Sequence, residues 1–99
     1  MARWYSAHGY DIVAQNWRFG RGELDLVVCD GSVLVFCEVK TRSSDRFGTG
    51  LDEVTADKQR RVRRLAAQFL AADRRWRGPI RFDVASVLAG EIDIVHGAF

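Results

Sequence analysis

Gly22–Lys40 reads GELDLVVCDGSVLVFCEVK, and this stretch decides the fold. Two apolar runs flank Asp30-Gly31, a dipeptide suited to a tight hairpin turn. The runs predict paired β-strands. Yet Glu23, Asp25, Glu38 and Lys40 interrupt them, where a buried strand normally excludes charge. With Asp30-Gly31 as a two-residue turn, Glu23 opposes Glu38 and Asp25 opposes Phe36. Opposed residues share a face and side chains alternate along a strand. All four charged residues are then expected on one side of the hairpin. Leu24, Leu26, Val28, Val33, Val35, Cys37 and Val39 fall on the other. A turn one residue longer would separate Asp25 from Glu38, so the register carries the argument.

The flanking sequence supplies the rest of an α/β domain. Residues 2–9 predict the end of a helix stopped at Gly9, and residues 10–17 (YDIVAQNW) a strand. Arg18–Arg21 turns into the hairpin, and Thr41–Gly50 is a polar, glycine-rich loop. Thr55 is a good helix N-cap, with Asp57 in the first turn at the positive end of the dipole. The helix is expected to run to about Arg75, before Gly78-Pro79 breaks it. Residues 80–88 and 91–95 predict two more strands. The order α-β-β-β-α-β-β predicts a mixed sheet with helices packed on it, and a right-handed crossover lays strand 80–88 parallel to a strand of the meander. Val62, Leu65, Ala66, Phe69 and Leu70 form the helix's inner stripe. Extended backwards at the helical period, that stripe brings Lys58 and Gln59 to its N-terminal end.

Ninety-nine residues make one small domain, 1–99. No apolar run approaches the ~20 residues of a membrane span, and the start has no apolar signal core. The expectation is a cytoplasmic protein with Cys29 and Cys37 reduced, acting as small apolar fillers. The net charge of +2 conceals an uneven distribution. KQRRVRRLAAQFLAADRRWR, from Lys58 to Arg77, is dense in arginine and holds one acid. Such a segment points to a polyanion, although a solvated arginine face explains the same pattern.

Carboxylates gathered on one sheet face repel unless they are wet, protonated or neutralised. Lys40 is one neutralising cation. A hard divalent metal is the other, since Mg²⁺ takes oxygen ligands, usually one or two carboxylates plus waters. Two carboxylates, a metal and a lysine make a hydrolytic site for phosphodiesters. A solvated face laced with salt bridges is the plainer reading of the same residues.

Asp25 followed by Glu38-Val39-Lys40 resembles the signature of the PD-(D/E)xK nucleases. GYDIVAQNWR, GELDLV, VFCEVKTR, the KQRRVRRLA helix, RFDVASV and the final AF resemble the YraN family more closely. Members of that family are small bacterial proteins related to archaeal Holliday-junction resolvases. The resemblance implies a restriction-endonuclease-like α-β-β-β-α-β core and a Mg²⁺- or Mn²⁺-dependent endonuclease acting on DNA, with branched or structured DNA a candidate substrate. It implies Asp25 and Glu38 as metal ligands, with the Val39 carbonyl a third. Lys40 becomes the catalytic lysine, Gln59 completes the site from the helix, and Glu23 is accessory. Arg42, Arg46, Lys58, Arg60, Arg61 and Arg64 are the expected nucleic-acid contacts. The family's longer first helix carries a glutamate, whereas residues 1–9 here hold no acid. A non-cleaving nucleic-acid-binding module and a small interaction protein are the competing expectations, and monomer and homodimer both stay open.

Overall fold

The computed structural model describes residues 1–42, 54–73 and 76–99, with Arg42 described in its backbone only. The chain order is α1 (Ala2–Ala7), β1 (Asp11–Phe19), β2 (Gly22–Cys29), β3 (Leu34–Arg42), α2 (Ala56–Ala72), β4 (Ile80–Leu88) and β5 (Glu91–Val95). The strands form one mixed sheet in the order β1-β2-β3-β4-β5. Only β3 and β4 run parallel; the other neighbours are antiparallel. A parallel pair requires a crossover, and α2 lies within that connection. The domain is therefore α/β, as expected. No helix among the described residues is long and apolar enough to cross a membrane.

α2 begins where the sequence places it, with the Thr55 hydroxyl accepting from the Lys58 N–H at 3.2 Å. It ends at Ala72, earlier than expected, and Arg74 and Arg75 lie outside the described residues. Val62, Leu65, Ala66 and Phe69 are buried against Leu24, Val27, Leu34, Phe36 and Phe82 on one face of the sheet. Each large side chain buried there contributes roughly 1.5–3 kcal/mol. The opposite face packs Tyr5 of α1 against Leu26, Val28, Val35, Cys37 and Ala85. Both faces of the hairpin are thus covered, whereas alternation alone predicts one apolar and one charged side.

Two features of the hairpin differ from the expected register. The turn spans four residues, 30–33, because pairing begins at Cys29 opposite Leu34. Asp30 explains the longer turn. Its Oδ1 accepts from the Ser32 N–H at 2.9 Å, the Val33 N–H at 2.8 Å and the Ser32 hydroxyl at 3.0 Å. These bonds hold its carboxyl below the usual range. Lengthening the turn by two residues preserves the alternation and changes only the partners. Glu23 therefore does not oppose Glu38.

The second feature is a roll in β2. Leu24 packs on the α2 face but Leu26 packs on the α1 face, two residues along a strand where both should share a side. The neighbouring strand is irregular beside it. Asn16, between the pairs Gln15–Leu26 and Trp17–Leu24, has φ 51°, a left-handed backbone that asparagine tolerates. Asp25 sits at this roll.

Candidate active site

The β2–β3 ladder is regular from Cys29–Leu34 to Leu26–Cys37 and extends no further. Beyond that point a side chain replaces the backbone: Asp25 Oδ2 accepts the Val39 N–H at 2.9 Å. The carboxylate stands where the two strands part. It also lines a cavity of about 280 Å³ with Met1, Ala2, Gln15, Asn16, Leu26 and Val39. Asp25 thus reaches the cluster along the Val39 backbone, not from the α2 face.

Glu38 and Lys40 follow Leu34 and Phe36 on that α2 face, at even spacing along β3. Glu38 is buried, at 8% exposure. Its Oε1 lies 3.3 Å from Lys58 Nζ and 3.8 Å from Lys40 Nζ. One carboxylate oxygen thus faces two ammonium groups. Even so, the Glu38 carboxyl sits above its ordinary pKa. Burial is the largest cause and the nearby Asp25 carboxylate the next; Lys58 and Arg61 pull the other way without prevailing. Desolvation thus biases Glu38 towards its protonated form even with lysines beside it.

The other expected site residues are placed as follows. Glu23 pairs across the strands with Arg18, Nε to Oε2 at 3.2 Å, at an exposed edge. Gln59 lies half-buried in the first turn of α2, and its Nε2 donates to the Val54 carbonyl at 3.2 Å. Lys58, expected to contact nucleic acid, is held by Glu38. The extended helical stripe already signalled that position. Arg60 pairs with Asp57 on the helix surface, while Arg61 and Arg64 border a separate cavity with Arg21. Arg46 and the rest of 43–53 lie outside the described residues.

Among the described residues, no three His, Cys, Asp or Glu side chains gather to hold a metal. The donor set that remains is Asp25, Glu38 and the Val39 carbonyl. Two carboxylates match a hard ion that keeps most of its waters.

A second polar cluster was not read from the sequence. Asp83 is fully buried on the α1 face. It accepts from the Tyr5 hydroxyl at 2.8 Å, from Arg81 Nε at 2.8 Å and a terminal Arg81 nitrogen at 2.9 Å, and from the Gly97 N–H at 3.1 Å. His96 Nδ1 lies 2.8 Å from Asp83 Oδ2. The same Nδ1 lies 3.0 Å from a terminal Arg81 nitrogen. Burial pushes the Asp83 carboxyl up, but these bonds together hold it below the usual range. The signal was an aspartate between Phe82 and Val84, two residues after Arg81, in the strand RFDVASV. Nearby, burial pushes the Cys37 thiol up to about 12, which suits an inert core thiol, and both cysteines are free.

Residues 1–87 match the model of the uncharacterised protein family UPF0102. A UPF0102 protein of Frankia casuarinae is 48% identical, covering 99% of this chain and 87% of the relative. One from Symbiobacterium thermophilum is 52% identical, covering 90% and 75%. One from Beutenbergia cavernae is 48% identical, covering 95% and 82%. The matched region contains both hairpin strands, α2 and nearly all of β4, and so every residue of the strand fork and its helix. The chain belongs to the uncharacterised protein family UPF0102, the YraN family.

Proposed function

We propose that the protein is a metal-dependent endonuclease acting on DNA, with the fork between β2 and β3 as its active site. One observation carries this reading: the buried Glu38 and Asp25, whose Oδ2 accepts the Val39 N–H, come together where β2 and β3 part, with Lys40 Nζ 3.8 Å from Glu38 Oε1. Asp25, Glu38 and the Val39 carbonyl would hold Mg²⁺ or Mn²⁺. The ion's contribution, when bound, is to acidify a water and polarise a phosphoryl oxygen. Lys40 places an ammonium where negative charge develops on the phosphate, an interaction stronger in the transition state than in the ground state. Lys58 orients Glu38 from α2 and balances its charge, while Gln59 ties the first turn of α2 to Val54.

Cleavage of linear, flapped and four-way DNA with Mg²⁺ or Mn²⁺ tests the proposal. Lys40→Ala should lower turnover by about 10²–10³ while largely keeping DNA affinity, because one lysine is a small part of the phosphate contacts. If the wild type cuts none of these DNAs with either metal, the cleavage assignment fails. The second reading, a non-cleaving nucleic-acid-binding module, then takes its place. It draws on the Lys58–Glu38 ion pair, which occupies a carboxylate oxygen that a metal would use.

A further inference from the structure

Beside the fork, the turn between β1 and β2 faces α2 across a cavity of about 450 Å³. That volume lies within the ~300–1,000 Å³ range of small-ligand sites. Its lining includes Phe19 at the end of β1, Arg21 from the turn, and Arg61, Arg64, Leu65 and Gln68 from the helix. Three guanidinium groups and no acid make it an anion site by composition. Glu23, the next acid along β2, is paired with Arg18. Phe19 is 49% exposed, and its ring stacks on Trp17 at 5.8 Å and 19°. The approach of turn to helix depends on Gly22, where a Cβ would stand 2.7 Å from Leu65 Cδ2.

An exposed aromatic ring beside a cluster of arginines matches the chemistry of an unpaired nucleotide, whose base stacks while its phosphates pair with cations. A duplex offers the phosphates but keeps its bases stacked on one another. Arg61 links the cavity to the fork, since its charge also acts on Glu38. We infer that the cavity takes one unpaired nucleotide of a DNA strand, its base on Phe19 and its phosphates on Arg21, Arg61 and Arg64. This rests on the DNA reading above and adds that the substrate carries a single-stranded element next to the bond at the fork.

Fluorescence anisotropy tests the inference without cleavage, in Ca²⁺ or without metal. The probes are a labelled duplex with a short thymidine tail and a blunt duplex carrying the same number of phosphates. The tailed duplex should bind about tenfold more tightly, the range expected for stacking one base. Phe19→Ala should abolish that preference and Phe19→Trp should keep it, both with wild-type circular dichroism. Arg64→Ala should weaken binding to the tailed probe and reduce the slope of log K against log salt by about 1. Equal binding of tailed and blunt probes by the wild type overturns the nucleotide site and leaves the DNA reading standing. A preference that survives Phe19→Ala also overturns it. No binding to either probe overturns both.

Discussion

The sheet buries a carboxylate on each face, and the two are treated in opposite ways. Asp83, on the α1 face, is enclosed by Tyr5, Arg81, His96 and Gly97, and its carboxyl is held below the ordinary range. Glu38, on the α2 face, has two lysines and a neighbouring carboxylate, and its carboxyl is held above that range. Both are desolvated, so burial is not the difference. Asp83 has enough hydrogen-bond donors to offset the loss of water, and Glu38 does not. The first arrangement fastens α1 and the chain's last residues to β4. The second leaves the Glu38 carboxyl biased towards its protonated form.

The largest effect is expected at Asp83. Replacing it with asparagine leaves Arg81 facing a neutral amide in a buried network, which costs about 3–5 kcal/mol. Urea unfolding should show it, and a loss within ~0.5 kcal/mol would break the contrast between the two carboxylates. The pH dependence has a definite sign. Asp83, with a lowered pKa, stabilises the fold above the ordinary aspartate range and loses that contribution as pH falls below about 4.

Glu38 should behave in reverse, with a smaller effect. Its raised pKa means that the folded state holds its proton more tightly than the unfolded chain. Its contribution is present below the unfolded pKa and is lost as pH rises through the folded one. Glu38→Gln, which mimics the protonated form, should therefore stabilise the metal-free protein at neutral pH by on the order of 1 kcal/mol. In a domain of this size that raises Tm by about 4–8 °C. The gain should vanish below pH about 4, where wild-type Glu38 is itself protonated. A lower Tm at pH 7 in the variant would mean that the lysine pairs outweigh the desolvation, making Glu38 structural like Asp83.

The hairpin shows how far sequence reasoning reaches. Alternation and the Asp-Gly turn were enough for the hairpin, the crossover rule for a strand 80–88 parallel to some strand of the meander, and the helical period for the inner stripe of α2; that the parallel partner is β3 came from the structure. The face of Glu38 survived a wrong turn length because the true turn is longer by two residues. Alternation failed at Asp25. There β2 changes face between Leu24 and Leu26, opposite the left-handed Asn16 of the neighbouring strand, and nothing in β2 itself records that. Glu23 was misplaced because its partner, Arg18, lies across the other strand pair. The Asp83 cluster joins Tyr5 to residues at the far end of the chain, contacts that no local pattern encodes. Lys58 was legible as a position on the helix; its role was not, because that role depends on where Glu38 stands.

Calorimetric titration of Mn²⁺ into the metal-free protein tests the central claim most directly. Wild type and Glu23→Gln should bind alike, since Glu23 is committed to Arg18 at the edge. Asp25→Asn and Glu38→Gln should each abolish binding. Wild-type affinity should fall as pH drops through the raised pKa of Glu38, because the proton and the metal compete for the same oxygens. Absence of binding in the wild type, or binding undiminished in both Asp25→Asn and Glu38→Gln, would contradict the account.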